Sequence, residues 1–344
     1  MSAPNALCNQ WHWEPPKHWM KITTADLHTG GEPLRVYTAG LPAIVGDNVL
    51  AKCRYFREHY DYIRTGTLWE PRGHADMYGA VITPSADADF DVFFLHNDGY
   101  STMCGHAIIA LTKFVIESSA VKGPGVSFNV PAGRIEATAA IKNGRVVRTA
   151  FRNVPSFLYQ RDQVISVAGL GPVKFDIAYG GAFYAIVAAA PLGLCLDASN
   201  YSELIDAGRE IKNAVTKAMP VEHPNEPRLS FLYGTIFTGP AREPMHHSRN
   251  VCIFAEGEMD RSATGSGVSA RAALHHAKGE LGLNEEITIE SILGSTMTVR
   301  AVERTTLGPH DAVVPEVSGT AFMTGRNEYF FDPADPFSRG FMFR

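Results

Sequence analysis

At 344 residues, of which 45% are hydrophobic and 19% charged, the chain is long enough for two ordinary domains and apolar enough to fold. Its formal net charge of -5 arises from acidic and basic residues mixed along the sequence, without the basic stripe that nucleic acid or an acidic membrane surface would require. The expected partner is a small molecule, with no nucleic acid and no membrane.

In chain order, the N-terminal stretch "MSAPNALCNQWHWEPPKHWM" lacks a basic region followed by an apolar one, so no signal peptide is expected. "VFFLHNDGYSTMCGHAIIALTKFVI" (92–116) reads as an apolar strand, a polar turn and an apolar helix opened by small residues. "VSFNVPAGRIEATAA" (126–140) then reads as two strands split at Gly133. The most apolar run, "YAIVAAAPLGLCL" (184–196), contains Pro191 and falls short of the roughly 20 residues that cross a bilayer.

The layout then recurs. "NVCIFAEGEMDRSATGSGVSARAAL" (250–274) again gives strand, turn and helix, and "ITIESILGSTMTVRA" (287–301) again gives two strands, split at Gly294. Thr264 stands where Cys104 stands in the first copy. Most of the remaining sequence shows alternating strand patterns between glycine- and proline-rich turns, with few long helices. The predicted fold is α+β, with two pseudo-symmetric halves. In each, mostly antiparallel sheet wraps a central helix that has too little polar surface to lie exposed.

The five cysteines, Cys8, Cys53, Cys104, Cys195 and Cys252, form no CxxC pair and read as free thiols of a reducing compartment, which makes the cytoplasm the expected location. Four of them are expected to be inert core, as most lone cysteines are. Cys104 differs through its position at a helix start. There, unpaired backbone N–H groups and the positive end of the helix dipole favour a carboxylate or phosphate, and the same field lowers a thiol's pKa. Gly105 with His106, and Gly265 with Ser266, supply such N–H groups at two tips that pseudo-symmetry can bring onto one small acid.

His106 is open to three readings: a satisfied core histidine, a ring near the substrate, or the bearer of a useful N–H. Asp260 either caps its turn or contacts a substrate ammonium or hydroxyl. A Cys–His hydrolase is disfavoured because residues 104 and 106 are not expected to face each other across a helix start. Metal is not expected: His246 with His247 and His275 with His276 are adjacent pairs whose side chains diverge, and no HExxH accompanies them. "GSGVSAR" (265–271) lacks the spacing of a phosphate loop.

The segments "DLHTGGEPLR" (26–35), "YIRTGTLWEPRGHADMYGAVI" (62–82), "MCGH" (103–106), "DIAYGGAFYAIV" (176–187) and "DRSATGSG" (260–267) together resemble the proline racemase superfamily, whose fold is similar to that of diaminopimelate epimerase. His106 after Cys-Gly favours the proline branch. The resemblance implies no cofactor, no metal, a homodimer and a cyclic imino acid as substrate. It also implies a domain of residues 18–154 plus 327–344 carrying Cys104, a domain of residues 155–326 carrying Thr264, and an active site in the cleft between them.

Racemases and epimerases of this superfamily use two cysteines, one on each face of the substrate's α-carbon. Here the second is Thr264, whose hydroxyl is too weak an acid to serve as an anionic base near neutral pH. The Cys/Thr combination resembles the superfamily's trans-3-hydroxy-L-proline dehydratases. By that resemblance Cys104 accepts the α-proton, Thr264 sits at the opposite tip, Gly105, His106, Gly265 and Ser266 cradle the carboxylate, and Asp260 contacts the substrate. The other readings are a one-base 4-hydroxyproline epimerase or proline racemase, a non-catalytic amino-acid-binding protein and a phosphate-binding isomerase.

Overall fold

The computed structural model describes residues 13–343; Cys8 and most of the N-terminal stretch read above lie outside them. The first half comprises β1 (Met20–Thr29), β2 (Glu32–Ala39), α1 (Val49–Leu68), β3 (Gly79–Thr83), β4 (Phe90–Leu95), β5 (Tyr100–Ser101), α2 (Gly105–Glu117), β6 (Gly125–Val130), β7 (Gly133–Lys142) and β8 (Arg145–Arg152). The second comprises β9 (Phe157–Val167), β10 (Gly171–Tyr179), β11 (Phe183–Ala188), α3 (Tyr201–Ala218), β12 (Leu232–Gly239), β13 (Ser248–Phe254), β14 (Glu258–Met259), α4 (Gly265–Ala277), β15 (Glu286–Glu290), β16 (Thr296–Leu307) and β17 (His310–Gly319). A last strand, β18 (Ala321–Phe331), returns to pair with β1 and straddles the boundary expected between residues 326 and 327.

The two halves repeat one pairing scheme. Parallel pairs β2/β3 and β4/β6 in the first correspond to β11/β12 and β13/β15 in the second, and the other neighbours in each half are antiparallel. β8 pairs with β17, so one hydrogen-bonded sheet runs through both halves. The glycine-split runs form the expected hairpins: β6 with β7 around Gly133, and β15 with β16 around Gly294.

Helices α2 and α4 occupy the centre of each half. Every residue of α2 from Gly105 to Lys113 is buried, as is every residue of α4 from Gly265 to Leu274, which is the fate of a helix without a continuous polar face. The outer helices α1 and α3 were not located in the sequence. α3 buries one stripe, Leu204, Ile211 and Val215, and α1 does so through Phe56 and Ile63 before its last turn sinks in, both amid charged residues that blur the period. Asn48 opens α1 by accepting a hydrogen bond from the Ala51 N–H at 3.0 Å. Among the described residues, no helix is long and apolar enough to cross a membrane.

The segment "DLHTGGEPLR" is the β1–β2 hairpin, and its two ends hold each other. Asp26 lies opposite Arg35 in register, the guanidinium donates to both carboxylate oxygens at 3.0 and 2.8 Å, and it also donates to the carbonyls of Thr67 and Arg72. This anchors the end of α1 and its following turn to the sheet beneath the site. Asp26→Ala leaves the Arg35 charge buried without its carboxylate, so urea unfolding should show a loss of about 3–5 kcal/mol.

Candidate active site

The tips of α2 and α4 meet back to back. A Cβ placed on Gly105 would lie 2.5 Å from the Gly265 Cα, and one on Gly265 would lie 2.6 Å from the Gly105 Cα. Only glycine on both sides allows this approach, and it sets the two first turns against the same small chamber. The chamber, about 10 Å³, is lined by Cys104, Gly105, His106, Asp260, Thr264, Gly265 and Ser266, so every residue singled out as a site candidate in the sequence converges there. Met103, Tyr78, Tyr184, Tyr233 and Phe254 complete the wall.

Cys104 is the N-cap of α2, with an extended backbone at φ -143° and ψ 106°. That conformation folds its side chain over the first turn, where Sγ lies 3.1 Å from His106 Nδ1. The expectation that the two would not face each other is thereby corrected: an extended N-cap reaches back over the following residues. The acidity expected of the helix tip is also outweighed. Burial pushes the Cys104 thiol well above its ordinary range and Asp260 and Glu32 add to the effect, while the nearby Ala107 N–H opposes it. Burial takes His106 down to about 3, so near neutral pH the pair is an uncharged thiol against an uncharged imidazole.

Thr264, the N-cap of α4, has φ 66° and ψ 93°, an outlying conformation for a β-branched residue. Its N–H donates to Ser262 Oγ at 3.1 Å and its carbonyl accepts from Val268 N at 2.7 Å, while its hydroxyl is buried without a hydrogen-bond partner among the described residues. Asp260 does cap its turn, accepting from the Ser262 N–H at 2.7 Å, and it also lines the chamber. Burial raises its carboxyl to about 6, against the hydrogen bonds from Ser262. Ser266 Oγ is 2.7 Å from the Tyr184 hydroxyl.

Glu32, which sits in the quoted hairpin and was not singled out in the sequence, lies beside the chamber residues His106 and Asp260. It is fully buried, its carboxyl is pushed well up by burial and by Asp260, and one of its oxygens accepts from the Arg261 N–H at 2.7 Å. Glu32, His106 and Asp260 could each offer a donor atom to one cation, these atoms lying within 4.8 Å of one another, though both carboxylates already spend an oxygen on a backbone N–H. The histidine pairs do diverge: His246 bonds Glu290, His247 bonds Ser248, His275 bonds Glu280 and His276 bonds the Leu281 carbonyl. The chamber tyrosines carry no spacing signal, because Tyr78 precedes β3, Tyr184 lies on β11 and Tyr233 on β12.

Of the cysteines expected to be inert core, Cys53 and Cys252 are buried, and Cys252 stands beside Thr264 and Asp260. Cys195 is exposed instead, with Sγ 3.1 Å from Asp197 Oδ2, because it follows a turn on the surface and not a strand.

Compared with known proteins, residues 24–342 match the proline racemase family. The chain belongs to that family. A relative named trans-3-hydroxy-L-proline dehydratase from Colwellia psychrerythraea (strain 34H / ATCC BAA-681) is 49% identical over 341 residues, covering 96% of each chain. A relative named 3-hydroxyproline 2-epimerase from Burkholderia multivorans (strain ATCC 17616 / 249) is 41% identical over 329 residues, 94% of this chain and 98% of that protein. The solved structure of a hydroxyproline epimerase from Agrobacterium vitis, with trans-4-hydroxy-L-proline bound, superposes with a TM-score of 0.88 at 29% identity, covering 94% of this chain and 96% of that one.

In a proline racemase fold the glycine pair is then a steric requirement of the site. Gly265→Ala should cost about 1–3 kcal/mol through overpacking against backbone, read as a lowered urea midpoint, together with loss of turnover.

Proposed function

We propose that this member of the proline racemase family is a trans-3-hydroxy-L-proline dehydratase, a hydro-lyase that needs no cofactor, with Cys104 as the base on the α-proton. The observation that carries the reading is the pair of N-caps on one chamber: a thiol at the tip of α2 and an alcohol at the tip of α4. A thiolate can remove a proton from carbon, whereas a threonine hydroxyl cannot supply the second anionic base that two-sided exchange demands.

At about 10 Å³ the chamber has room for one water, so the substrate enters by opening it, and its carboxylate is then held by the N–H groups of Gly105, His106, Gly265 and Ser266, at the positive ends of both helices. Asp260 faces the ring ammonium. Because the buried thiol is neutral on its own and the His106 imidazole, at about 3, is too weak a base to take its proton, Cys104 ionises only with the substrate's ammonium beside it, its proton passing to solvent. Cys104 then removes the α-proton, the C–H electron pair becomes the Cα=Cβ double bond, and the 3-hydroxyl leaves as water after gaining a proton. In the trans isomer the α-hydrogen and the hydroxyl share a ring face, so Cys104 can deliver that proton itself. The resulting enamine tautomerises to 1-pyrroline-2-carboxylate.

The 3-hydroxyproline 2-epimerase relative favours one second reading, inversion at the α-carbon, which needs an acid on the Thr264 side. The thiol–imidazole contact also restores the geometry that a Cys–His hydrolase would need, but the resemblance to relatives acting on hydroxyprolines speaks for carbon-acid chemistry. Reduced cysteines in the cytoplasm and a homodimer complete the proposal.

The direct test offers trans-3-hydroxy-L-proline to the enzyme and traps the cyclic imine; release of the cis isomer without imine would replace dehydration by epimerisation. Cys104→Ser should retain the fold and lose about 10²- to 10⁴-fold in kcat, measured in the same assay. Thr264→Cys should gain α-proton exchange on proline or 4-hydroxyproline, read by deuterium incorporation. The Asp260 carboxyl, raised to about 6, must be ionised to face the ammonium, so kcat/KM should fall as pH drops through about 6, and Asp260→Asn should remove that limb of the profile.

A further inference from the structure

Helix α4 carries a second anomaly on its buried length, about 9 Å along the axis from Gly265 at 1.5 Å per residue. Arg271 is 3% exposed, and Nε and Nη1 of its guanidinium have no hydrogen-bond partner among the described residues. Among those residues its one hydrogen bond is from Nη2 to His275 Nε2 at 3.2 Å. His275 gives no counter-charge: Nδ1 lies 2.7 Å from Glu280 Oε2, which places the proton there and leaves Nε2 as acceptor, and burial takes the ring down to about 4. Buried guanidinium groups are ordinarily paired, because an isolated buried charge costs several kcal/mol.

Arg271 lines a cavity of about 340 Å³ that is separate from the Cys104 chamber. Two acids and two lysines share its wall, and they cancel: Lys174 lies 2.8 Å from Asp162, and Lys278 lies 2.6 Å from Asp176. One positive charge is left over, that of Arg271. The rest of the wall is largely apolar, with Phe175, Ile186, Leu192 and Leu274 prominent. A bare inorganic anion would leave that surface uncovered.

We propose that this cavity is a second ligand site, which binds a small monocarboxylate with a compact apolar body, its carboxylate against Arg271 and its body against Phe175, Ile186 and Leu274. The proposal is independent of the reaction at Cys104.

The test is thermal unfolding of the full chain with cyclohexanecarboxylate or benzoate, against benzamide, inorganic phosphate and chloride at equal ionic strength. A ligand that binds only the folded state raises Tm saturably. The carboxylates should raise Tm by several degrees, benzamide and chloride should not, and phosphate should have the weaker effect. Arg271→Met should abolish the rise and, without ligand, be at least as stable as the parent; Arg271→Lys should keep a weakened rise. No rise, an equal rise with benzamide or chloride, or a rise surviving in Arg271→Met, which would place the ligand at the Cys104 chamber, overturns the proposal. So does a marked loss of stability in Arg271→Met, which would show the guanidinium paired within the fold. A ligand-free Tm that depends on protein concentration, and ceases to in Arg271→Met, would give the cavity to a second copy and also overturn it.

Discussion

Two helix N-termini pressed together at glycine are the constraint on which everything else in this molecule depends. Bringing the Gly105 and Gly265 backbones into contact aligns two sets of unpaired N–H groups and two positive dipole ends on one point. Nothing but a bound anion or a charged neighbour would relieve that concentration of positive potential. The duplicated architecture provides the means: each half buries one apolar helix inside its own sheet, and the shared sheet through β8 and β17 holds the halves in register.

What the tips carry then sets the chemistry. Burial works against the thiol more strongly than the helix end works for it, so Cys104 is held neutral beside a neutral imidazole. Thr264 sits in a conformation that a β-branched residue seldom adopts, with its hydroxyl unbonded. The geometry of the second tip is thus kept while its acidity is absent, which is the arrangement expected when proton removal is needed on one face only.

Much of this was legible in the sequence. The echo of residues 92–140 in residues 250–301 revealed the duplication, because a strand, a small-residue helix start and a glycine-split hairpin recur in one order. The seven candidate residues came from those two helix starts, and their convergence follows from the pseudo-symmetry. Less accessible were the features made by distant pairing. Glu32 comes beside His106 and Asp260 only because the β1–β2 turn folds over α2 and toward Arg261, and the tyrosine wall is assembled from separate segments of the chain. The Cys104–His106 contact depended on a backbone angle that sequence spacing does not encode, and the outer helices α1 and α3 were masked by charges along their apolar stripes.

The central claim is that α-proton chemistry proceeds from the Cys104 face alone. The most direct measurement incubates the enzyme with trans-3-hydroxy-L-proline in deuterated water, stops the reaction at partial conversion and examines the remaining substrate by NMR. The account predicts cyclic imine as product and residual substrate of unchanged configuration at the α-carbon. Residual substrate that is inverted and deuterated there would show an acid working from the opposite tip, and would contradict it.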